Sequence, residues 1–215
     1  MSAASASPRT AGSASAPSIT GAFPNQVYFS FDQTTIYQRL IQTLTLRTKL
    51  GGDIYSRPDF YNPLWIDITL AFVLTVVGNI SRYFYSTTQF HFNFAVLEKA
   101  FSLVFGLAVL VPALISLCFF IYGIKLSVPA VVGIIAIYSY SNLFFVLGAS
   151  FYLIPIQLVG FTFMLLFAAL SALSLIVVYS GFIEQSNDPR KKTVIIAVLV
   201  LQALALLTYR FGFFT

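Results

Sequence analysis

From Leu126 to Ile183 the chain runs for 58 residues without one charged side chain. As a single α-helix that stretch would be about 87 Å long, against a hydrocarbon core of about 30 Å. One helix is excluded and two fit. The run Gly148-Ala-Ser-Phe-Tyr-Leu-Ile-Pro155 is the natural break between them, because Gly and Pro are poor residues for a helix interior. Composition extends the argument to the whole chain. Apolar residues make up 58% of it, charged residues 9%, and mean hydropathy is +0.87. A soluble domain of 215 residues cannot bury that much apolar surface. The expected fold is all-α, a bundle of helices that crosses a membrane several times.

Five spans are expected, at about 63–80, 100–122, 128–147, 154–180 and 194–213. Arg82 closes the first, Lys99 and Lys125 bracket the second, and Pro112 is expected to kink it. Residues 1–22 are almost all Ala, Ser, Pro, Thr and Gly with Arg9 the only charge, the composition of a disordered tail. They lack the basic start and apolar core of a signal peptide, so no cleavage is expected. Residues 23–62 form an N-terminal region of their own, and 63–215 the membrane domain. Within the former, 34–46 reads as an amphipathic helix with Ile36, Leu40, Ile41 and Leu44 on one face. Such a helix suits the membrane surface, the bundle or a partner. Lys49-Leu-Gly-Gly-Asp53 is a loop too short, alone, to point to phosphate binding.

Five spans put the termini on opposite sides. With the N-terminus in the cytosol, that side holds Arg9, Arg39, Arg47, Lys49, Arg57, Lys125, Arg190, Lys191 and Lys192. The other side holds Arg82, Lys99 and Arg210. The positive-inside rule therefore favours a cytosolic N-terminus and a lumenal C-terminus. The basic residues are scattered and flank apolar segments, which argues against nucleic acid as a partner.

The residues that invite a functional reading sit at the mouth of the first span, in Arg57-Pro-Asp-Phe-Tyr-Asn-Pro-Leu-Trp-Ile66. Asn62 is expected to cap the helix and Pro63 to occupy its first position. Tyr61 and Trp65 are amphipathic aromatics of the membrane surface, and Asp59 is expected to stay outside the bilayer. Asp67 lies about one turn inside the span, placed to reach the headgroup layer or a polar neighbour. An intramembrane acid is a functional candidate by default. The hydroxyls of Tyr138, Tyr140 and Ser141 are expected to bond across helices. Ala168 to Ser174 reads as a small-residue packing face, and His91 as part of an aromatic interfacial belt. Asn79-Ile-Ser81 is a formal glycosylation sequon, expected to stay bare because it ends a span.

Enzymatic chemistry finds little to work with. One Cys, Cys118, and one His exclude a disulfide and a multi-ligand Cys/His metal site. No phosphate loop, zinc-protease motif or nucleophile elbow occurs. No cofactor is expected.

The run Asp59-Phe-Tyr-Asn-Pro-Leu-Trp-Ile66 and the five spans resemble the YIP family, the Ypt/Rab-interacting or Yip-domain proteins of the Golgi and endoplasmic reticulum. The resemblance is nearest to the subgroup marked by Asp-Leu-Tyr-Gly-Pro-Phe-Trp-Ile, with Phe60 standing for Leu and Asn62 for Gly. Gly78-Asn-Ile-Ser81 is similar to the family's Gly-Asn-Leu-Ser. Tyr138-Ser-Tyr-Ser141 is similar to its Tyr-Gly-Tyr-Ser, where Ser139 is expected to loosen a close helix crossing. The resemblance covers about 37–215. It implies a non-enzymatic trafficking protein of the Golgi membrane that binds Rab/Ypt-type GTPases and assembles with itself or with other Yip-domain proteins. Asp59, Tyr61 and Pro63 are the partner-binding residues it implies. The competing expectation is a small transporter, channel or lipid scramblase, against which stands the shortage of charge within the spans.

Overall fold

The computed structural model describes residues 33–46, 54, 59–85, 93–121, 126–184 and 191–214. The tail 1–22, the loop 49–53, Arg57, His91 and Arg190 lie outside the described residues. The helices described in full are, in order, α1 (Gln33–Leu44), α2 (Tyr61–Tyr85), α3 (Ala95–Ile121), α4 (Val128–Ser150), α5 (Gln157–Glu184) and α6 (Lys191–Phe213). Among the described residues, α2 to α6 are the five helices long and apolar enough to cross a membrane. The five spans and the all-α fold are those read from the sequence.

The details depart from expectation where local signals compete. The α4–α5 break falls inside the predicted run, but α4 continues to Ser150. A 3₁₀ turn, Phe151–Leu153, then leads through Pro155 to α5. Phe151 stacks on Phe163 with centroids 4.1 Å apart, which fastens the turn to the helix it introduces. Pro112 lies within α3, which remains one helix from Ala95 to Ile121. At the far end of α1, Leu46 takes φ 54°, a left-handed position that usually falls to glycine after a helix.

α4 is the hub: α2, α3 and α5 all pack along it, and α1 touches it. Lipid tails are as apolar as leucine, so burial alone gives membrane helices little reason to associate. Close packing and interhelical hydrogen bonds do the selecting. Gly148 shows the first: a Cβ there would stand 3.2 Å from the Met164 Cα and 3.1 Å from the Phe167 Cβ. The predicted small-residue face serves the same helix pair, with Ala168, Ser171, Ala172 and Ser174 all buried. One apolar cluster, with Phe119, Tyr140 and Tyr179, fills the half of the bundle nearer Asn62; a second, with Leu74, Phe145 and Phe213, fills the other.

Candidate functional site

The start of α2 corrects the expected cap. The helix begins at Tyr61, with the Leu64 N–H already bonded to the Phe60 carbonyl at 3.1 Å. The side chain that satisfies an orphan donor is Asp59, whose Oδ1 accepts the Tyr61 N–H at 2.8 Å. Asn62 is thereby released from capping. Its Nδ2 donates to Asp59 Oδ2 at 3.0 Å and to the Tyr140 hydroxyl oxygen at 3.1 Å. Pro63 is buried within the first turn, while Tyr61 is half-buried against Trp65 at 6.3 Å and Trp65 is 52% exposed.

Asp59 does not face solvent. It is 8% exposed and forms an ion pair with Arg39 of α1, Nη1 to Oδ2 3.6 Å, the two side chains 3% and 11% exposed. This contact orients α1 in a way its hydrophobic pattern did not foretell. Arg39 and Thr43 turn inward and Leu40 packs on the core, whereas Ile41 and Leu44 are exposed together with Tyr37. The predicted common face of Ile36, Leu40, Ile41 and Leu44 is therefore divided. Two charges withdrawn from water are tolerated only as partners, so the Arg39–Asp59 pair constrains where α1 can sit.

One and a half turns deeper, Asp67 also points inward. Ser139 Oγ donates to its Oδ2 at 2.7 Å and Asn142 Nδ2 to its Oδ1 at 2.8 Å. The carboxyl is 3% exposed and lies beside the middle of α4, so of the two positions open to it, the polar neighbour is taken and the headgroup layer is not. The Ser139 hydroxyl thereby bonds α4 to α2. Ser141 bonds its own helix through the Tyr138 carbonyl at 2.6 Å, and Ser171 of α5 donates to the Ser141 carbonyl at 3.1 Å. Tyr140 makes the expected bond across helices. The Tyr138 hydroxyl has no hydrogen-bond partner among the described residues.

The result is a polar seam through an apolar bundle: Arg39, Asp59, Asn62 and Tyr140, then Asp67, Ser139 and Asn142. A cavity of about 210 Å³ opens beside it, lined by Phe60, Pro63, Leu64, Phe105 and Val109 with Asp67 and Ser139 at its edge. The Tyr138 and Tyr209 side chains are fully buried within α4 and α6. Gln202 of α6 lies buried two turns before Tyr209, with both amide atoms unpartnered among the described residues. Sequence reasoning missed Arg39, Asn142, Gln202 and Tyr209. Spacing held a signal for two pairs: 138 and 142 share a face of α4, and 202 and 209 share a face of α6.

At the end of α2, Asn79 is 1% exposed; its Nδ2 donates to the Thr75 carbonyl at 2.9 Å and its Oδ1 accepts the Asn93 N–H at 3.1 Å. The sequon asparagine is thus enclosed.

The chain is 24% identical over 175 residues to the protein named Protein YIPF1 homolog of Dictyostelium discoideum, a match covering 80% of this chain and 49% of the relative. The chain thus spans about half the length of this relative. No family model matches the chain, and no solved structure does. The described residues thus form a five-span bundle, and the chain is similar in sequence to a protein named as a YIPF1 homolog.

Proposed function

We propose that the chain is a YIP-family protein of the subgroup with the Asp-Leu-Tyr-Gly-Pro-Phe-Trp-Ile motif. In this reading it is a non-enzymatic trafficking factor of the Golgi and early secretory pathway. Its N-terminus is cytosolic and its C-terminus lumenal. It binds Rab/Ypt-type GTPases and assembles with Yip-domain partners. The observation that carries the reading is the position of the family-like motif: Asp59 ties the N-terminal helix to the membrane bundle through Arg39.

Partner binding then divides between two surfaces. Tyr37, Ile41 and Leu44 lie on one exposed face of α1 at helical spacing, a face suited to docking in a partner's groove. Asp59 serves that surface by holding α1 in place, and Tyr61 and Pro63 by shaping the turn from which α2 departs. A transporter, channel or scramblase is the second reading, favoured by the buried acid Asp67. Affinity purification of the full chain from cells, followed by flux measurements on the same material in liposomes, separates the two. Co-purified Rab-type GTPases without lipid or solute flux support the first reading. Flux without GTPases would overturn it.

A further inference from the structure

Arg210 lies in the last turn of α6, an apolar span, where a charged side chain is costly unless it is served by a partner. Its guanidinium is fixed. The Cζ stands 5.7 Å from the Tyr152 ring centroid and 5.6 Å from that of Phe161, and Nη1 donates to the Phe214 carbonyl. The Tyr152 ring is itself clamped. It stacks on Phe214 at 3.8 Å, and a Cβ on Gly160 would come within 2.8 Å of it. Only a glycine at 160 lets the ring lie where the guanidinium meets it. Among the described residues no carboxylate pairs with Arg210. A guanidinium has five N–H donors, so most of its donor capacity is unspent.

Beside it opens a cavity of about 540 Å³ between the first turn of α5 and the last turns of α6. It is lined by Gln157, Leu158 and Phe161 of α5 and by Leu207, Arg210 and Phe211 of α6, so that the cation stands among apolar side chains. Leu158 and Leu207 are exposed on helices that cross the membrane, so the groove opens toward acyl chains. A preorganised cation at the level where a span ends, above apolar walls, matches an amphiphile with an anionic head. The cavity also takes in the first turn of α5, where the helix dipole is positive.

We propose that this groove binds a membrane phospholipid, the phosphodiester on the Arg210 guanidinium and an acyl chain between α5 and α6. The apolar walls select a lipid over free phosphate, and the cation selects a phospholipid over a neutral lipid. Two N–H···O bonds to a phosphate oxyanion have the fork geometry that arginine offers and lysine lacks.

The test uses the full chain purified in detergent, with thermal unfolding titrated by dioleoyl phosphatidylglycerol, by dioleoylglycerol and by inorganic phosphate. Phosphatidylglycerol is expected to raise the wild-type Tm, while diacylglycerol, with the same chains and no phosphate, and inorganic phosphate leave it in place. Arg210→Gln should weaken the phospholipid response about tenfold, the loss expected for one charge-assisted contact, and Arg210→Lys should fall between. Leu207→Trp, which fills the groove and keeps the cation, should also lose the response; it stands in if Arg210→Gln does not fold. Equal shifts with diacylglycerol or inorganic phosphate, or a wild-type response in Arg210→Gln or Leu207→Trp, would overturn the proposal.

Discussion

Asp59 and Asp67 are both acids of the same helix start, and their environments give them different work. Asp59 caps α2, holds Asn62 and pairs with Arg39. Asp67 accepts two hydrogen bonds from α4. An amide at 67 can keep both bonds, its oxygen accepting from Ser139 and its nitrogen donating to a flipped Asn142, and it removes a buried acid. Asp67→Asn is therefore expected to leave Tm in detergent unchanged or raised. Asp67→Leu strands two donors and should destabilise by about 2 kcal/mol or more; thermal unfolding of the purified variants decides, and equal Tm values would contradict the bonding described. Asn79 supplies a second residue-scale expectation. Its enclosed amide should carry no glycan in either orientation of the bundle, so deglycosylation should produce no mass shift that Asn79→Gln abolishes. The sequence showed Asp67 as a candidate because an acid in an apolar run stands out. It could not show that the side chain turns inward, since the partner that decides this, Asn142, is 75 positions away.

Among the elements, α2 to α6 were legible because each carries its own hydropathy signal and its own flanking charge or Pro/Gly break. α1 was legible as a helix, while its orientation was left open. Its apolar pattern suited the membrane surface, the bundle or a partner alike, and the long-range pair Arg39–Asp59 leaves Ile41 and Leu44 exposed. That orientation carries a prediction. Ile41→Asp with Leu44→Asp should leave the Tm of the bundle nearly unchanged, because both side chains are exposed, while reducing recovery of cytosolic partners. Arg39→Ala should lower Tm instead, by about 3 kcal/mol in stability, because it leaves the Asp59 carboxylate without its cation. If the two variants behaved alike in Tm, the orientation of α1 would be wrong.

Across the whole molecule, the proposed topology takes the five spans among the described residues as the full set and places the N-terminus in the cytosol, where Lys and Arg are more numerous. A glycosylation acceptor fused after Thr215 should then be modified and one fused before Met1 should not; the reverse pattern would invert the topology. The surface proposed to meet a partner was not legible in the sequence, because Tyr37, Ile41 and Leu44 are left exposed by the way α1 docks on the bundle. The central claim is that the N-terminal region recruits GTPases while the spans hold it in the membrane. Its most direct test is recovery of Rab-type GTPases with full-length chain, with residues 2–22 deleted, and with residues 30–58 deleted, at matched expression. Near-complete recovery after the first deletion is predicted, together with loss after the second while the five spans still insert. Recovery of the same GTPases by the chain lacking residues 30–58 would contradict it.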